Sequence, residues 1–423
     1  MNLIIQNATL EGYPSPVSIL IQDGLIVRIG SGIAPPGNIQ TLLADGMTVI
    51  PGLVNAHTHA AMTLLRGAGD DMPLMAWLTQ CIWPAEARLR EEDVYWGTRL
   101  ACIEMIRSGT VAFQDGYWHF HGVARAVQES GLRAAVGMAM VDAQGPQQGE
   151  SCKKLAWEIM DEVHRYDARI KPLMFPHAIY SVSPENLRWC AQFAEKHELS
   201  LHIHLSETRG EVNECLNRYG VRPAFHLDNL GFLQERTLLA HGVFLDDAEL
   251  DLIARRGATL ITNPTSNLKL AVGGVFPHAR AAVRGIPVGL GSDGAASNNS
   301  LDLFQEMKTL ALIQKHAQGD PTAMPAALAL DLAMGRHAPI LGQSGSIAPG
   351  HRADLLLIRT SDPEMLPPLN LASNLVYSAT GQVVDTTIVA GRVLMYRRVV
   401  AGEEDVRQEV LDRARKWIRS VAP

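Results

Sequence analysis

Residues 183–205, SPENLRWCAQFAEKHELSLHIHL, decide the fold. Ser183-Pro184-Glu185 supplies a helix cap, a first-turn proline and an early acid. Leu187, Cys190, Ala191 and Ala194 then recur at helical spacing, and the helix is expected to run out near His197. LSLHIHLSE (199–207) follows as a strand. Further along the chain the alternation repeats. TLLAHGVFL (237–245) reads as a strand, and DDAELDLIARRG (246–257) as a helix ended by Gly257. ATLITNP (258–264) is a strand again, HARAAVRG (278–285) a short helix and IPVGLGSD (286–293) a strand. Strands alternating with helices over about 290 residues imply a parallel sheet with helical crossovers.

That pattern alone admits a closed barrel or an open doubly wound sheet. The polar residues choose between them, because histidines and acids sit at the carboxyl ends of successive strands, where a barrel builds its active site. The expected class is α/β, a TIM-like (β/α)8 barrel. Both chain ends have a different texture. VSILIQDGLIVRIG (17–30) turns at Asp23-Gly24 as a hairpin. ADLLLI (353–358) and TTIVAGRVLMYRRVV (386–400) are strand-like, the latter expected to bend at Gly391. Glu403 to Val421 has helical spacing with Val406, Val410, Leu411 and Trp417 on one side. The expected division is 1–52 and 346–423 as the two parts of one small β-sandwich, the second carrying the terminal helix, around a barrel over 53–345.

The 423 residues are 47% hydrophobic and 19% charged, enough to bury a large core and exclude global disorder. A net charge of −7, from 37 basic and 44 acidic residues, leaves no basic surface for nucleic acid or anionic lipid. The uncharged run Gly46 to Leu65 is broken by Pro51-Gly52 and holds Asn55, His57 and His59, so a membrane reading fails. The N-terminus lacks a basic start and a long apolar stretch, so no signal peptide is expected. Five scattered cysteines fit a reducing cytosol and buried thiols.

His57-Thr58-His59 ends an apolar strand, and side chains two apart on a strand share a face. Both imidazoles can therefore reach one ion, as a zinc site with three or four protein ligands requires. Two further HxH pairs show how little that pattern decides alone. His119-Phe120-His121 reads as surface or substrate-loop histidine. In His202-Ile203-His204, His204 lies nearer the carboxyl end and is followed by Glu207, so it is the better ligand. His202 reads as a buried histidine with a local hydrogen bond. His241 and Asp293 also end strands. Gly289-Leu290-Gly291-Ser292-Asp293-Gly294 formally matches GxGxxG, but no helix opens there and no acid is suitably placed. Its glycines are expected to let the backbone turn tightly around Asp293.

PGLVNAHTHAAMTLLRG, WPAEARL, FPHAIYSVSPE, LHIHLSET, LLAHGVFL, NPTSNLKLA, GLGSDGAASNNSLDLF and SGSIAPGHRADLLLI resemble, across nearly the whole chain, the amidohydrolase superfamily. Within it they are most similar to the methylthioadenosine/S-adenosylhomocysteine deaminase group. The resemblance implies a barrel holding one divalent ion through His57, His59, His204 and Asp293. Zinc is the first choice, with Fe2+ or Ni2+ suiting the same donors. A two-metal relative would need a bridging lysine on the fourth barrel strand, where PLMFPHAIY offers His177 instead. Deaminases acting on nucleic-acid bases carry a Pro-Cys-x-x-Cys segment that is absent here.

The implied reaction is hydrolytic deamination of an adenine nucleoside by a metal-bound hydroxide, which the ion makes available near neutral pH. Glu207 would protonate the ring nitrogen, Asp293 would carry the water's proton to the leaving ammonia, and His241 would orient the nucleophile. Glu86 is assigned to the ribose hydroxyls and His177 to the ribose and purine side, with Trp83 and Met62 packing around the base or 5′ substituent. The competing readings are deamination or dechlorination of a triazine, guanine or pterin, and an inactive structural relative. The expected partner is a small-molecule nucleoside, in a cytoplasmic homo-oligomer.

One departure bears on the substrate. Relatives that accept S-adenosylhomocysteine carry two arginines for its carboxylate, and those positions align with Met138 and Glu150. No arginine occurs from Ala134 to His164. Lys153 or Lys154 is the available substitute, as a less directional charge. The expectation is that 5′-methylthioadenosine, adenosine or 5′-deoxyadenosine is preferred.

Overall fold

A computed structural model describes residues 2–14, 16–338, 340–342 and 345–421. The N-terminal strands are β1 (Leu3–Ala8), β2 (Val17–Gln22), β3 (Leu25–Gly30), β4 (Gln40–Leu43) and β5 (Met47–Pro51). The Asp23-Gly24 hairpin forms, with both residues at positive φ (50° and 80°) as a two-residue turn requires. β1 to β4 make one sheet in the order β3-β2-β1-β4.

The barrel strands follow as β6 (Leu53–Thr58), β7 (Thr110–Asp115), β8 (Arg133–Met140), β9 (Ile170–Pro176), β10 (Leu201–Leu205), β11 (Thr237–His241), β12 (Thr259–Thr262) and β13 (Val288–Leu290). Each pairs in parallel with the next, and helices supply the crossovers. This is the eight-stranded barrel expected from the alternation together with the polar strand ends. Where β13 meets β6, polar groups join the seam. Asn55 Nδ2 donates to Ser292 Oγ at 2.7 Å, the Ser292 N–H to Asn55 Oδ1 at 3.0 Å, and the Asp293 N–H to the His57 carbonyl at 3.0 Å. The crossover helices use the signals expected of them. Ser183 Oγ caps the helix Pro184–Lys196, and Asp246 with Glu249 forms a capping box on Asp247–Arg256.

The C-terminal strands are β14 (Leu355–Arg359), β15 (Val384–Val389), β16 (Arg392–Tyr396) and β17 (Val399–Val400). With β5 they form a sheet ordered β17-β16-β15-β14-β5. The apolar run of β14 is continuous because both its faces are covered. Leu355 and Leu357 pack on Leu3, Ile5, Ile19 and Ile21 of the N-terminal sheet, whereas Leu356 and Ile358 join the barrel core. One expectation needs correction. Residues 386–400 are not one strand bent at Gly391 but a hairpin and a further short strand, with Ala390 and Gly391 (φ 48° and 71°) forming the turn. In the terminal helix Glu403–Val421, Val406 is buried and Val410 half-buried, but Leu411 is exposed. The side chain of Trp417 lies outside the described residues.

Candidate active site

The carboxyl ends of the barrel strands open into a cavity of about 760 Å³, a usual size for a small-molecule site. His59, His204 and Asp293 face it, and His57 is fully buried behind them. Four side-chain atoms converge. His204 Nε2 lies 3.3 Å from both His57 Nε2 and His59 Nε2. Asp293 Oδ1 lies 3.5 Å from the first of these and 3.3 Å from the second. Donors about 2.0–2.1 Å from a common centre would stand about 3.3–3.4 Å apart at the corners of a tetrahedron. The quartet therefore fits a divalent metal ion.

The remaining ring nitrogens support that fit. His59 Nδ1 donates to the Gly116 carbonyl at 2.6 Å, and His204 Nδ1 to the His177 carbonyl at 2.8 Å. His57 Nδ1 lies 3.1 Å from His202 Nε2, which receives its proton when Nε2 of His57 faces the centre. His202 is thus buried as expected, but its hydrogen bond is to His57 on another strand and not a local one. Burial pulls the His57 pKa down to about 4 and holds His204 well below the ordinary range, so both rings are neutral, as ligands must be. Asp293 is buried too, yet the neighbouring histidines hold its carboxyl well below the usual range.

Three residues that end these strands or follow them take left-handed backbone: Ser206 (φ 49°), His241 (φ 72°) and Asp293 (φ 61°). Such conformations are costly for residues with a Cβ and concentrate at functional sites. The loop after β13 is crowded rather than open. A Cβ on Gly291 would stand 2.9 Å from the His57 backbone nitrogen, and one on Gly294 2.6 Å from Met62 Sδ. These glycines serve close approach around Asp293, and no helix opens on them to bind a dinucleotide.

Glu207 and His241 lie side by side, with Glu207 Oε1 3.8 Å from His241 Nδ1. Burial raises the Glu207 pKa; His241 opposes the shift and Asp293 adds to it. For His241 burial works downwards, but Glu207 and Asp293 hold its pKa above the ordinary value. Two residues of the helix Pro264–Lys269, to which no role was given from sequence, reach this group. Ser266 Oγ donates to Asp293 Oδ2 at 2.7 Å, and Asn267 Oδ1 accepts from His241 Nδ1 at 2.8 Å.

Glu86, His177, Trp83 and Met62 all line the same cavity. Trp118 Nε1 donates to Glu86 Oε2 at 3.3 Å, and His177 Nδ1 meets Ser181 Oγ at 2.8 Å. Burial raises the Glu86 pKa against the neighbouring Tyr117 and Trp118, and takes His177 down to about 3. His119 and His121 also line the cavity, His119 as the cap and His121 within the first turn of the helix Phe120–Ser130. Tyr117 and Trp118 had no stronger signal than aromatic side chains after a strand-end acid.

The two aligned arginine positions fall elsewhere. Met138 is buried in the hydrophobic core, whereas its neighbour Ala139 faces the cavity. Glu150 is exposed and paired with Lys153 at 2.8 Å, and Lys154 pairs with Glu158 at 3.7 Å. Neither lysine lines the cavity. Its wall there is Val141, Gln144, Gln148 and Leu155, and no arginine or lysine is among the described lining residues.

The sequence matches the amidohydrolase family over residues 48–394. It is 47% identical to a 5′-deoxyadenosine deaminase of Methanoregula boonei, covering 88% of this chain and 85% of that protein. It is 42% identical to a 5-methylthioadenosine/S-adenosylhomocysteine deaminase of Desulforudis audaxviator over the full length of both. The crystal structure of a zinc-bound adenosine deaminase from Xanthomonas campestris superposes with a TM-score of 0.92 at 33% identity, covering 99% of each chain.

Proposed function

The chain belongs to the amidohydrolase family, and from that premise we propose that it is a metal-dependent deaminase of adenine nucleosides. It hydrolyses the exocyclic C–N bond to release ammonia and the inosine counterpart. The observation that carries this reading is one cavity that brings together His59, His204 and Asp293 of the donor quartet, with His57 directly behind them, the Glu207–His241 pair, and Glu86 with His177.

His57, His59, His204 and Asp293 would hold the ion, with zinc the first choice given the zinc-bound structural relative. When bound, it supplies a water acidic enough to ionise near neutral pH. Glu207, whose pKa burial raises, gives its proton to the ring nitrogen beside the amine-bearing carbon. Asp293 accepts the proton of the attacking water through a carboxylate oxygen and returns it to the leaving amine, and the hydroxyl proton left on the substrate carbon passes back to Glu207 as ammonia departs. His241, held by Asn267, orients the nucleophile. Glu86 accepts the ribose hydroxyls, and His177 lies on the sugar side. Leu74, Trp77, Trp83 and Leu155 shield the reacting atoms from water.

The wall without lysine or arginine sets the 5′ preference. Relatives are named for 5′-deoxyadenosine and for S-adenosylhomocysteine. A neutral 5′-deoxy, 5′-hydroxy or 5′-methylthio group suits Val141, Gln144, Gln148 and Leu155, whereas a zwitterionic amino-acid tail finds no cation for its carboxylate. We also assign residues 1–52 and 346–423 to one β-sandwich unit around a catalytic barrel over 53–345, and place the protein in the cytosol on its five free thiols.

The test is metal analysis with an ammonia-release panel. One divalent ion per chain is expected. The 5′-deoxyadenosine, 5′-methylthioadenosine and adenosine kcat/KM values should exceed that of S-adenosylhomocysteine by about 10²-fold or more. Greater turnover of guanine or a triazine would overturn the substrate class. An equal value for S-adenosylhomocysteine would overturn the preference.

A further inference from the structure

After β10 the chain makes a left-handed turn at Ser206, and the next residue, Glu207, enters the cavity. One side chain closes that turn. Glu211 Oε1 accepts the Ser206 N–H at 2.8 Å and Glu211 Oε2 accepts the Glu207 N–H at 2.9 Å, one oxygen for each buried donor. The backbone of Glu211 is fixed in return, because its N–H donates to Oγ1 of the helix cap Thr208 at 3.1 Å. Glu207 therefore sits inside a closed local circuit running 206–207–208–211.

The arrangement differs from an ordinary capping box, in which the third-turn-position acid bonds the cap residue's own N–H. Glu249 does so for Asp246, and Arg222 Nε lies 2.8 Å from its carboxylate. Asp93 likewise bonds Arg90 and also meets Arg413. Glu211 instead reaches one and two residues further back, to the reacting acid itself. It has no cation partner among the described residues, although only 5% of its surface is exposed. Two N–H donors alone hold this buried carboxylate, and burial takes its pKa up to about 7. Helix capping can be met at the surface at less cost. The buried placement is accounted for by what it holds.

We propose that Glu211 is a positioning residue for the deamination, acting through Glu207 by fixing the Ser206–Glu207 backbone that aims the Glu207 carboxyl. This rests on the reading of Glu207 as proton donor. In Glu211→Gln the amide nitrogen cannot accept, so one buried N–H loses its partner. The kcat for 5′-deoxyadenosine should fall about 10- to 100-fold with KM changed less than about threefold, and the metal content should be retained.

A double-mutant cycle separates positioning from general loosening of the fold. In a Glu207→Gln background, Glu211→Gln should cost less than about threefold, because the group it positions is already disabled. An undiminished second loss would overturn the proposal. Glu211→Asp, which keeps the charge but withdraws the carboxylate by one methylene, must show the same coupling, and it serves where the Gln variant is insoluble. A crystal structure of either Glu211 variant tests the same point without turnover: the Glu207 carboxyl should leave its wild-type place, and finding it unmoved would overturn the role. If Glu207→Gln alone left turnover intact, the proton-donor reading would fall, while the crystal structure would still decide whether Glu211 holds the turn.

Discussion

Two buried groups outside the metal-binding quartet should make stability respond to pH in opposite directions. Burial lowers the His177 pKa to about 3, and it raises the Glu306 pKa to about 7 against hydrogen bonds from Asn298 and Thr265. In the unfolded chain the two would titrate near 6.5 and 4.5. As pH falls from 7.5 to 5, unfolded His177 takes a proton that the folded ring refuses, so the folded state loses about 2 kcal/mol. Over the same interval folded Glu306 takes a proton that the unfolded carboxylate declines, and the folded state gains about 2 kcal/mol. The His177 figure depends little on its exact folded pKa, since any value below about 4.5 leaves the ring neutral at pH 5.

The wild-type pH curve sums both signs with those of other buried groups, so differences between variants are the decisive quantity. Urea unfolding of chelator-treated wild type, His177→Gln and Glu306→Gln at pH 7.5 and pH 5 measures them. His177→Gln should lose about 2 kcal/mol less than wild type on acidification, and Glu306→Gln should lose about 2 kcal/mol more. Shifts of the same sign in both variants, or neither above about 0.5 kcal/mol, would show that burial does not set these protonation states.

Replacing His57 or His59 with Ala should remove most of the metal and of the activity, measured by elemental analysis beside ammonia release; full activity after thorough chelation would count against the quartet. Glu207→Gln keeps the shape without the proton and should lower kcat by about 10²-fold or more with metal retained, as steady-state kinetics would show. Gly291→Ala should destabilise by about 1–3 kcal/mol and weaken metal binding, because its Cβ meets the His57 backbone nitrogen at 2.9 Å. Gly294→Ala should be milder, since the end of the flexible Met62 side chain can move; thermal unfolding of the two variants compares them.

Much of this was legible because the periods were clean. The helix over 184–196 and the strand carrying His202 and His204 follow from cap chemistry and spacing, and the strand ends located the polar cluster. The wall near the expected arginine positions shows why sequence alone could not describe it: successive strand residues face opposite sides, and here Met138 lies in the core while Ala139 faces the cavity. The turn at Ala390-Gly391 was read as a bend because alanine rarely takes positive φ, and nothing local announces that Ala390 will. The cavity wall over Leu74–Trp83, with its π-helical turn at Leu78–Ile82, has no period to read.

The reacting groups and the substrate walls come from different parts of the fold, and this limits how specificity can change. His57, His204, His241 and Asp293 sit on or just beyond barrel strands, and their outer atoms are held by His202, His177, Asn267 and Ser266. A shift of one would break a buried hydrogen bond at another, so substitutions there are strongly coupled. The walls at Leu74–Trp83 and Val141–Leu155 carry mostly side chains without such bonds, and Trp77, with its Nε1 on the Ala68 carbonyl at 3.0 Å, is tied only locally. A basic side chain placed at Gln148 would therefore change which 5′ substituent is accepted without touching the reacting atoms. Substrate choice can drift along those two segments while the hydrolytic chemistry at the strand ends stays fixed.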